Sequence, residues 1–333
     1  MKQKAILTII MSNYNQAHLI KNAIDSILQQ QTSFPWQLII TDDHSTQDNS
    51  KEIIMQYHSL YPDKIKYIFS EKNTGYLGNI LRAKALAKTD FLTLLDADDY
   101  WTDINYLEKA IKYLQKNLDV VAYTQNVLCI SENGKQFSFI SKKKKSGKYT
   151  IQDYFAQKMP ITQTTGAVFR NVIFKNSIPK IMTDAIGTIH ERSFEGDADR
   201  LIMHLKFGKI YFSNEYSGIY RCLSSGIWQK LSNSEKSILT AQAYLDYNKY
   251  FDYIYQDIFI KKAYSEMQKS INSLGYIHVN MDNKMQQIFA NVLKECLNHT
   301  DKLQLDKPKN IFYKFLLKIY KFSYKKLHKK NYL

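Results

Sequence analysis

The first glycine of this 333-residue chain is Gly75. A dinucleotide-binding Rossmann unit needs a glycine-rich turn directly after its first strand, where the backbone must approach a pyrophosphate. That turn is missing, which argues against a nicotinamide or flavin enzyme. The phosphate-binding loop ending in Gly-Lys-Ser/Thr is missing as well, since Gly134-Lys135, Gly147-Lys148 and Gly208-Lys209 lack its spacing. Cysteine is scarce. Cys129, Cys222 and Cys296 are odd in number and far apart, with no Cys-x-x-Cys and no Cys/His pairing. Neither a disulfide framework nor a zinc site is supported, and a reducing, cytoplasmic location fits. No stretch approaches the roughly 18 apolar residues of a membrane span. The short apolar run before Met11 superficially resembles a signal peptide. It lacks a small-residue cleavage site, though, and passes straight into Ser12-Asn13-Tyr14-Asn15, so it reads as a buried first strand. There is no internal repeat.

Hydrophobic residues make up 44% of the chain, enough for a sizeable core. In the first half, strand and helix signals alternate. Residues 5–11, 36–41, 65–69 and 91–95 are apolar runs of strand length. Between them, residues 16–31, 50–60 and 77–88 carry apolar side chains at helical spacing, with Leu77, Ile80, Leu81 and Leu86 inward in the last. Regular alternation of this kind predicts an α/β fold with a doubly wound, mostly parallel sheet, and parallel strands covered on both faces read as continuous apolar runs. A helix near 105–117 and a strand near 119–130 follow. Residues 131–148 read as an exposed hairpin or loop whose lysine run, Lys142 to Lys145, is a solvated turn. Short strands and helices mix up to about residue 230, and the chain beyond 233 reads as mainly helical.

Three of these strands end in polar residues. The first ends at Ser12-Asn13-Tyr14-Asn15, the second at Asp42-Asp43-His44-Ser45 and the fourth at Asp96-Ala97-Asp98-Asp99. Carboxyl ends of parallel strands converge on one edge, where open α/β sheets bind ligands. Three carboxylates as close as Asp96, Asp98 and Asp99 repel one another unless a cation sits among them. Taken alone, that cluster fits either a divalent cation holding a phosphate or an acidic loop capping the next helix. Two further polar strand ends on the same edge favour the cation.

In order and spacing, four segments resemble the family-2 type inverting glycosyltransferases of the GT-A fold. They are Thr8 to Asn15, Ile40 to Asp48, Asn73 to Arg82 and Leu95 to Trp101. Together they cover roughly the first 105 residues. The likeness continues more loosely through Thr165 to Arg170, Glu195 to Leu201, and Tyr220-Arg221 with Gly226 to Trp228. It departs at Leu223, where the family commonly has a histidine.

The resemblance implies a GT-A catalytic domain over residues 1–230, with a nucleotide-binding half (1–105) and an acceptor half (106–230). Residues 231–333 form a helical C-terminal region. It implies a metal-dependent hexosyltransferase that moves a sugar from a nucleoside-diphosphate donor, UDP-linked by preference. The acceptor would be a hydroxyl of a surface glycan or lipid-linked acceptor, as in capsule or lipopolysaccharide synthesis. Asp43 would accept a hydrogen bond from the donor's base, with Ser12 and Tyr14 lining the same pocket. Asp96 would face the ribose or help order the metal shell, and Asp98 would bind Mn²⁺ or Mg²⁺. Arg82 and Arg221 would assist on the diphosphate. Asp197 would be the general base, selected by its match to the family's Gly-Asp element over its neighbours Glu195 and Asp199. Asp99 is left as a helix cap, and Trp101 as packing under the metal loop. The rivals are a nucleotidyltransferase of related fold, which would want a glycine- and lysine-rich loop after the first strand, and a nucleic-acid-binding protein suggested by the charge. No nucleic-acid-binding motif is present, and no nucleic-acid partner is expected.

The formal net charge is +15, and it is uneven. Residues 301–333 hold ten lysines against two aspartates, a local balance of +8. Lys314, Lys318, Lys321 and Lys325 form one helical stripe, while Phe312, Phe315, Leu316, Ile319, Tyr320 and Leu327 fall largely elsewhere. A helix so divided suits an anionic membrane surface, which predicts peripheral attachment to the inner face of the plasma membrane through residues 305–333. Removing residues 305–333 is expected to abolish co-sedimentation with anionic vesicles without unfolding the catalytic domain. Equal co-sedimentation of both forms would refute the attachment.

Overall fold

The computed structural model describes residues 4–224, 226, 228–273 and 282–299. The chain divides into two compact units, Met1–Gly187 with Glu195–Gly226, and Thr188–Phe194 with Ile227–Leu333. The basic stripe of residues 314–325 lies outside the described residues.

The first unit opens with β1 (Leu7–Asn13), α1 (Ala17–Leu28), β2 (Trp36–Asp42), α2 (Ser50–Leu60), β3 (Ile65–Phe69), α3 (Gly75–Leu86) and β4 (Phe91–Leu94). β3, β2, β1 and β4 lie side by side in that order and run parallel, as the alternating pattern predicts. Their inward residues are fully covered because helices pack on both faces. Ile20, Ala23, Ile24 and Ile27 of α1 share one side of that helix and are entirely buried. In α3, Leu77, Ile80 and Leu81 are buried, but Leu86 is 55% exposed. It is the last residue of the helix, where the turn has rotated away from the sheet.

The second half of the sheet departs from the parallel pattern. It comprises β5 (Tyr100–Trp101), α4 (Tyr106–Lys116), β6 (Val120–Ser131), β7 (Gln136–Ser138), β8 (Gly147–Tyr149), α5 (Ile151–Phe155), β9 (Ala167–Arg170), α6 (Lys180–Thr183), α7 (Asp197–His204) and β10 (Lys209–Cys222). β9 lies between β4 and β6 and runs antiparallel to both. β6 and β10 are parallel, and the order continues β9, β6, β10, β5. The expected hairpin after residue 131 is present as β6 paired with β7, turning through Gly134 at φ +79°.

β5 is only two residues long, yet it fixes the acidic loop that precedes it. It pairs antiparallel with Gly218 and Ile219 of β10. Trp101 is 3% exposed; its Nε1 donates to the carbonyl of Thr165 at 2.7 Å, and its backbone N–H donates to Ser26 Oγ at 3.1 Å. The side chain therefore packs under the acidic loop. A β-carbon on Gly218 would meet the Tyr100 carbonyl at 2.3 Å and the Trp101 Cα at 2.8 Å, so only glycine lets these backbones approach.

In the second unit, α8 (Asn233–Tyr250), α9 (Gln256–Ser273) and α10 (Asn283–His299) enclose a core that includes Ile238, Leu245, Ile260, Met267, Ile288 and Val292. Ser232 starts α8 with a capping box: its hydroxyl accepts from the Glu235 backbone, and the Glu235 carboxylate accepts from Ser232. The 3-10 turn Glu191–Phe194 belongs to this unit, where Ser193 Oγ donates to the buried Asp246 at 2.7 Å. Among the described residues, no helix is long and apolar enough to cross a membrane.

Two measurements test this packing. Gly218→Ala is expected to destabilise the protein by about 1–3 kcal/mol in denaturant unfolding, because backbone cannot yield to the added methyl group. His204 is stacked on Phe169 at 4.3 Å and is 1% exposed; burial, with Lys84 and Arg200 nearby, pushes it down to about 4. The unfolded chain takes up this proton below about pH 6.5 and the folded chain only below about 4. Stability is thus expected to fall as pH drops through that window, by up to roughly 3 kcal/mol from this residue. A His204→Phe variant should show a shallower loss between pH 6.5 and 4 in chemical denaturation.

Candidate active site

Polar strand ends can occupy a sheet edge only if each buried polar atom finds a partner. At the end of β1, Asn13 Nδ2 donates to Asp42 Oδ2 at 2.7 Å. Asp42 in turn accepts from the backbone N–H and the hydroxyl of Ser45, at 2.8 and 2.5 Å. Asn15 and His44 sit in the left-handed region, with φ of 51° and 67°, which turns the chain sharply out of both strands. Tyr14 is 46% exposed at the rim, and Ser12 Oγ accepts from Asn79 Nδ2 at 3.1 Å. Ser12 and Tyr14 thus stand at the same strand end.

Asp43 is 3% exposed and held tightly. Thr74 donates to it from its backbone N–H at 3.0 Å and from its hydroxyl at 2.9 Å, and Arg82 Nη2 reaches Oδ1 at 3.0 Å. The Arg82 guanidinium also donates to Thr74 Oγ1 at 2.7 Å and to Asn79 Oδ1 at 2.9 Å. The structure therefore gives Arg82 a partner the sequence did not: it braces Asp43. Thr74 and Asn79 complete the brace, and both lie inside the Asn73 to Arg82 segment.

The acidic loop separates its three carboxylates. Asp99 is 1% exposed and joins three segments, accepting from Thr165 Oγ1 at 2.5 Å and from the Arg221 backbone N–H at 2.9 Å. It caps no helix, because β5 follows it and α4 begins only at Tyr106. Burial and the adjacent Asp98 push the Asp99 carboxyl well above the usual carboxylate range. Burial, and then Asp98, push Asp96 up to about 7, while the Tyr76 hydroxyl, donating at 3.4 Å, and Arg200 oppose this. Burial also raises Asp98, whose carboxyl accepts from its own backbone N–H. Arg221 donates to the Asp98 carbonyl and lies 4.6 Å from the Tyr100 ring centre.

A divalent cation fits this donor set. Two hard carboxylates, Asp96 and Asp98, share one loop and raise each other's cost of ionisation, which a cation would relieve. Among the described residues no cluster of three or more acidic, histidine or cysteine side chains forms a complete protein cage.

Asp197 opens α7, with Gly196 at the N-cap, so Glu195 lies before the helix rather than on a face shared with Asp199. Its Oδ1 accepts from the Thr164 backbone N–H at 2.8 Å, from the Thr164 hydroxyl and from Arg200 Nη2 at 3.1 Å. Its carboxylate side chain is 28% exposed, whereas Asp199 is buried at 1% and pushed up to about 7 by burial. Of the three candidates, Asp197 is therefore brought toward the acidic loop, and Asp199 is turned into the core. Tyr76, Thr165 and Arg200 lie inside the segments that carry the resemblance, and Thr164 just before one of them, but the sequence assigns none of the four a role.

The model of glycosyl transferase family 2 matches residues 8–177. An uncharacterized protein of Mycobacterium bovis is 29% identical over 222 residues, covering 67% of this chain and 60% of its own length, so the chain matches less than two thirds of that relative. The Escherichia coli protein WfgD, named as a UDP-Glc:alpha-D-GlcNAc-diphosphoundecaprenol beta-1,3-glucosyltransferase, is 34% identical over 112 residues, 34% of this chain and 42% of its own. The structure of S. aureus TarS 1–349 with UDP-GlcNAc shares the fold at a TM-score of 0.60, over 89% of this chain and 83% of that one, with 14% identity. The four parallel strands, the acidic loop after β4 and a match spanning half its length make this chain a member of glycosyl transferase family 2, with the GT-A fold.

Proposed function

We propose that this chain is a metal-dependent inverting glycosyltransferase that moves a sugar from a UDP-linked donor to a hydroxyl of a glycan or lipid-linked acceptor. The observation that carries the reading is the meeting of Asp197 with the Asp96–Asp98 loop. The two lie about a hundred residues apart in sequence, yet Asp197 helps hold the Asp96 carboxyl up, and Arg200 and Tyr76 stand between them. An inverting transfer needs such a pair: charge relief for the departing diphosphate and a carboxylate base for the acceptor.

Asp98, with Asp96 beside it, would hold Mn²⁺ or Mg²⁺, which when bound offsets negative charge on the leaving diphosphate. Asp43, braced by Arg82 and Thr74, accepts from the donor's base, and Ser12 and Tyr14 line that end of the pocket. Arg221, anchored on the Asp98 carbonyl and over Tyr100, adds positive charge beside the acidic loop. Asp197 takes the acceptor's proton through its remaining oxygen. The UDP-linked donor is supported by the TarS complex, and the lipid-linked acceptor by the name of WfgD. A lipid-linked acceptor also gives the basic tail a purpose, since it would keep the enzyme on the inner face of the membrane. A nucleotidyltransferase is less well supported, because the turn after β1 offers no grip for a triphosphate.

The test is a thermal-shift screen of UDP and UDP-sugars with and without Mn²⁺. UDP with Mn²⁺ is expected to stabilise the chain, and Asp98→Asn to remove the metal-dependent part. Asp197→Asn should keep UDP binding and lose turnover by about 10²- to 10⁴-fold. No stabilisation by any nucleoside diphosphate would overturn the reading, and full activity in Asp197→Asn would place the base elsewhere.

A further inference from the structure

Arg200 is 5% exposed and lies among the carboxylates of the site. Burying a guanidinium costs several kcal/mol unless its donors are matched. Its Nη2 donates to Asp197 Oδ1 at 3.1 Å and to Thr164 Oγ1, and its Nη1 stands 3.5 Å from the Tyr76 hydroxyl, which itself donates to Asp96 Oδ1 at 3.4 Å. Thr164 adds its backbone N–H and its hydroxyl to Asp197. All three donors take the same oxygen. Among the described residues no donor takes Asp197 Oδ2.

A carboxylate gripped by one oxygen and open at the other is oriented for a single task. Carboxylates are otherwise free to rotate about their last bond, and a base displaced by about 1 Å can lose roughly 10²-fold in rate. The grip needs a fork. A guanidinium presents paired N–H groups at fixed angles and can hold Asp197 and Thr164 with one nitrogen while the other faces Tyr76; an ammonium on the same stem offers one compact charge.

We infer that Arg200 is a positioning residue that clamps Asp197 through Oδ1, leaves Oδ2 to take the acceptor's proton, and through Tyr76 ties that base to Asp96 on the donor side. The inference rests on Asp197 being the base. The competing explanation is plain charge balance, because Arg200 also neighbours the buried Asp199 and Lys84, whose ionisation it influences. Charge balance depends on the positive charge alone, and its loss would weaken the whole fold. Clamping depends on the fork, and its loss is felt only through Asp197.

The test uses the full chain, UDP binding with Mn²⁺ by calorimetry, and UDP release from UDP-glucose, UDP-galactose and UDP-GlcNAc. Arg200→Lys keeps the charge and removes the fork. It is expected to lower kcat about tenfold with the UDP Kd within about threefold of the unsubstituted chain. Arg200→Met should lower kcat about 100-fold, and if it does not fold, the lysine variant still carries the test. In an Asp197→Asn background, Arg200→Lys should cause no further loss in kcat beyond about twofold. An equal tenfold loss in both backgrounds, or a UDP Kd that weakens in step with kcat, would overturn the clamp while leaving the base in place. Normal turnover in Arg200→Lys alongside a dead Asp197→Asn would do the same. Absence of UDP binding or UDP release by the unsubstituted chain would overturn the transferase reading, and this inference with it.

Discussion

Carboxylates buried at one edge of a parallel sheet must each find a donor or a cation, and the arrangement of this molecule follows from that requirement. Asp42, Asp43, Asp96, Asp98, Asp99 and Asp197 all lie at strand ends, in the loops beyond them or at a helix start. Three are satisfied wholly within the protein: Asp42 by Asn13 and Ser45, Asp43 by Thr74 and Arg82, and Asp99 by Thr165 and the Arg221 backbone. Asp96 and Asp98 are not so well supplied. Burial raises all three acids of the loop, and Asp98 raises Asp96 and Asp99 further, a cost that a divalent cation beside Asp96 and Asp98 would relieve.

Donor supply depends in turn on the antiparallel half of the sheet. β9 inserted against β4 brings the Thr164–Thr165 turn beneath the acidic loop. β10 passes the same loop and delivers Arg221, and its glycine at 218 lets β5 come close enough to hold Trp101 in the core. α7 then adds Asp197 and Arg200. A purely parallel sheet would leave the carboxylates of β4 without these partners. The second half of this GT-A fold therefore supplies the donors that make a charged first half tolerable.

Sequence reading reached the parallel half because each strand there is an apolar run set between helices of regular period, a signal held within about ten residues. Asp43, Asp96 and Asp98 stand out in the sequence because polar ends on three strands of one sheet converge, and all three lie just beyond β2 and β4 at that edge. Sequence reading did not reach β9, whose four residues carry no period long enough to state a direction. It misread Leu86 because helical spacing does not say where a helix leaves the sheet. An aspartate before a helix commonly caps it, which is the expectation for Asp99, and the two-residue strand that intervenes leaves no pattern.

The sequence by itself determined that this chain builds a parallel sheet in its first half without dinucleotide glycines, that acids gather at its carboxyl edge, and that more than half of its net positive charge lies in residues 301–333. These are properties of local spacing and composition. Only the tertiary structure decided which acid is free and which is spoken for. It gave Arg82 the bracing of Asp43, set Asp199 in the core and Asp197 toward the acidic loop, and placed Arg200 between Asp197 and Tyr76. The reason is that a hydrogen bond between residues separated by thirty or more positions depends on how strands and helices pack, and no short stretch of sequence records that.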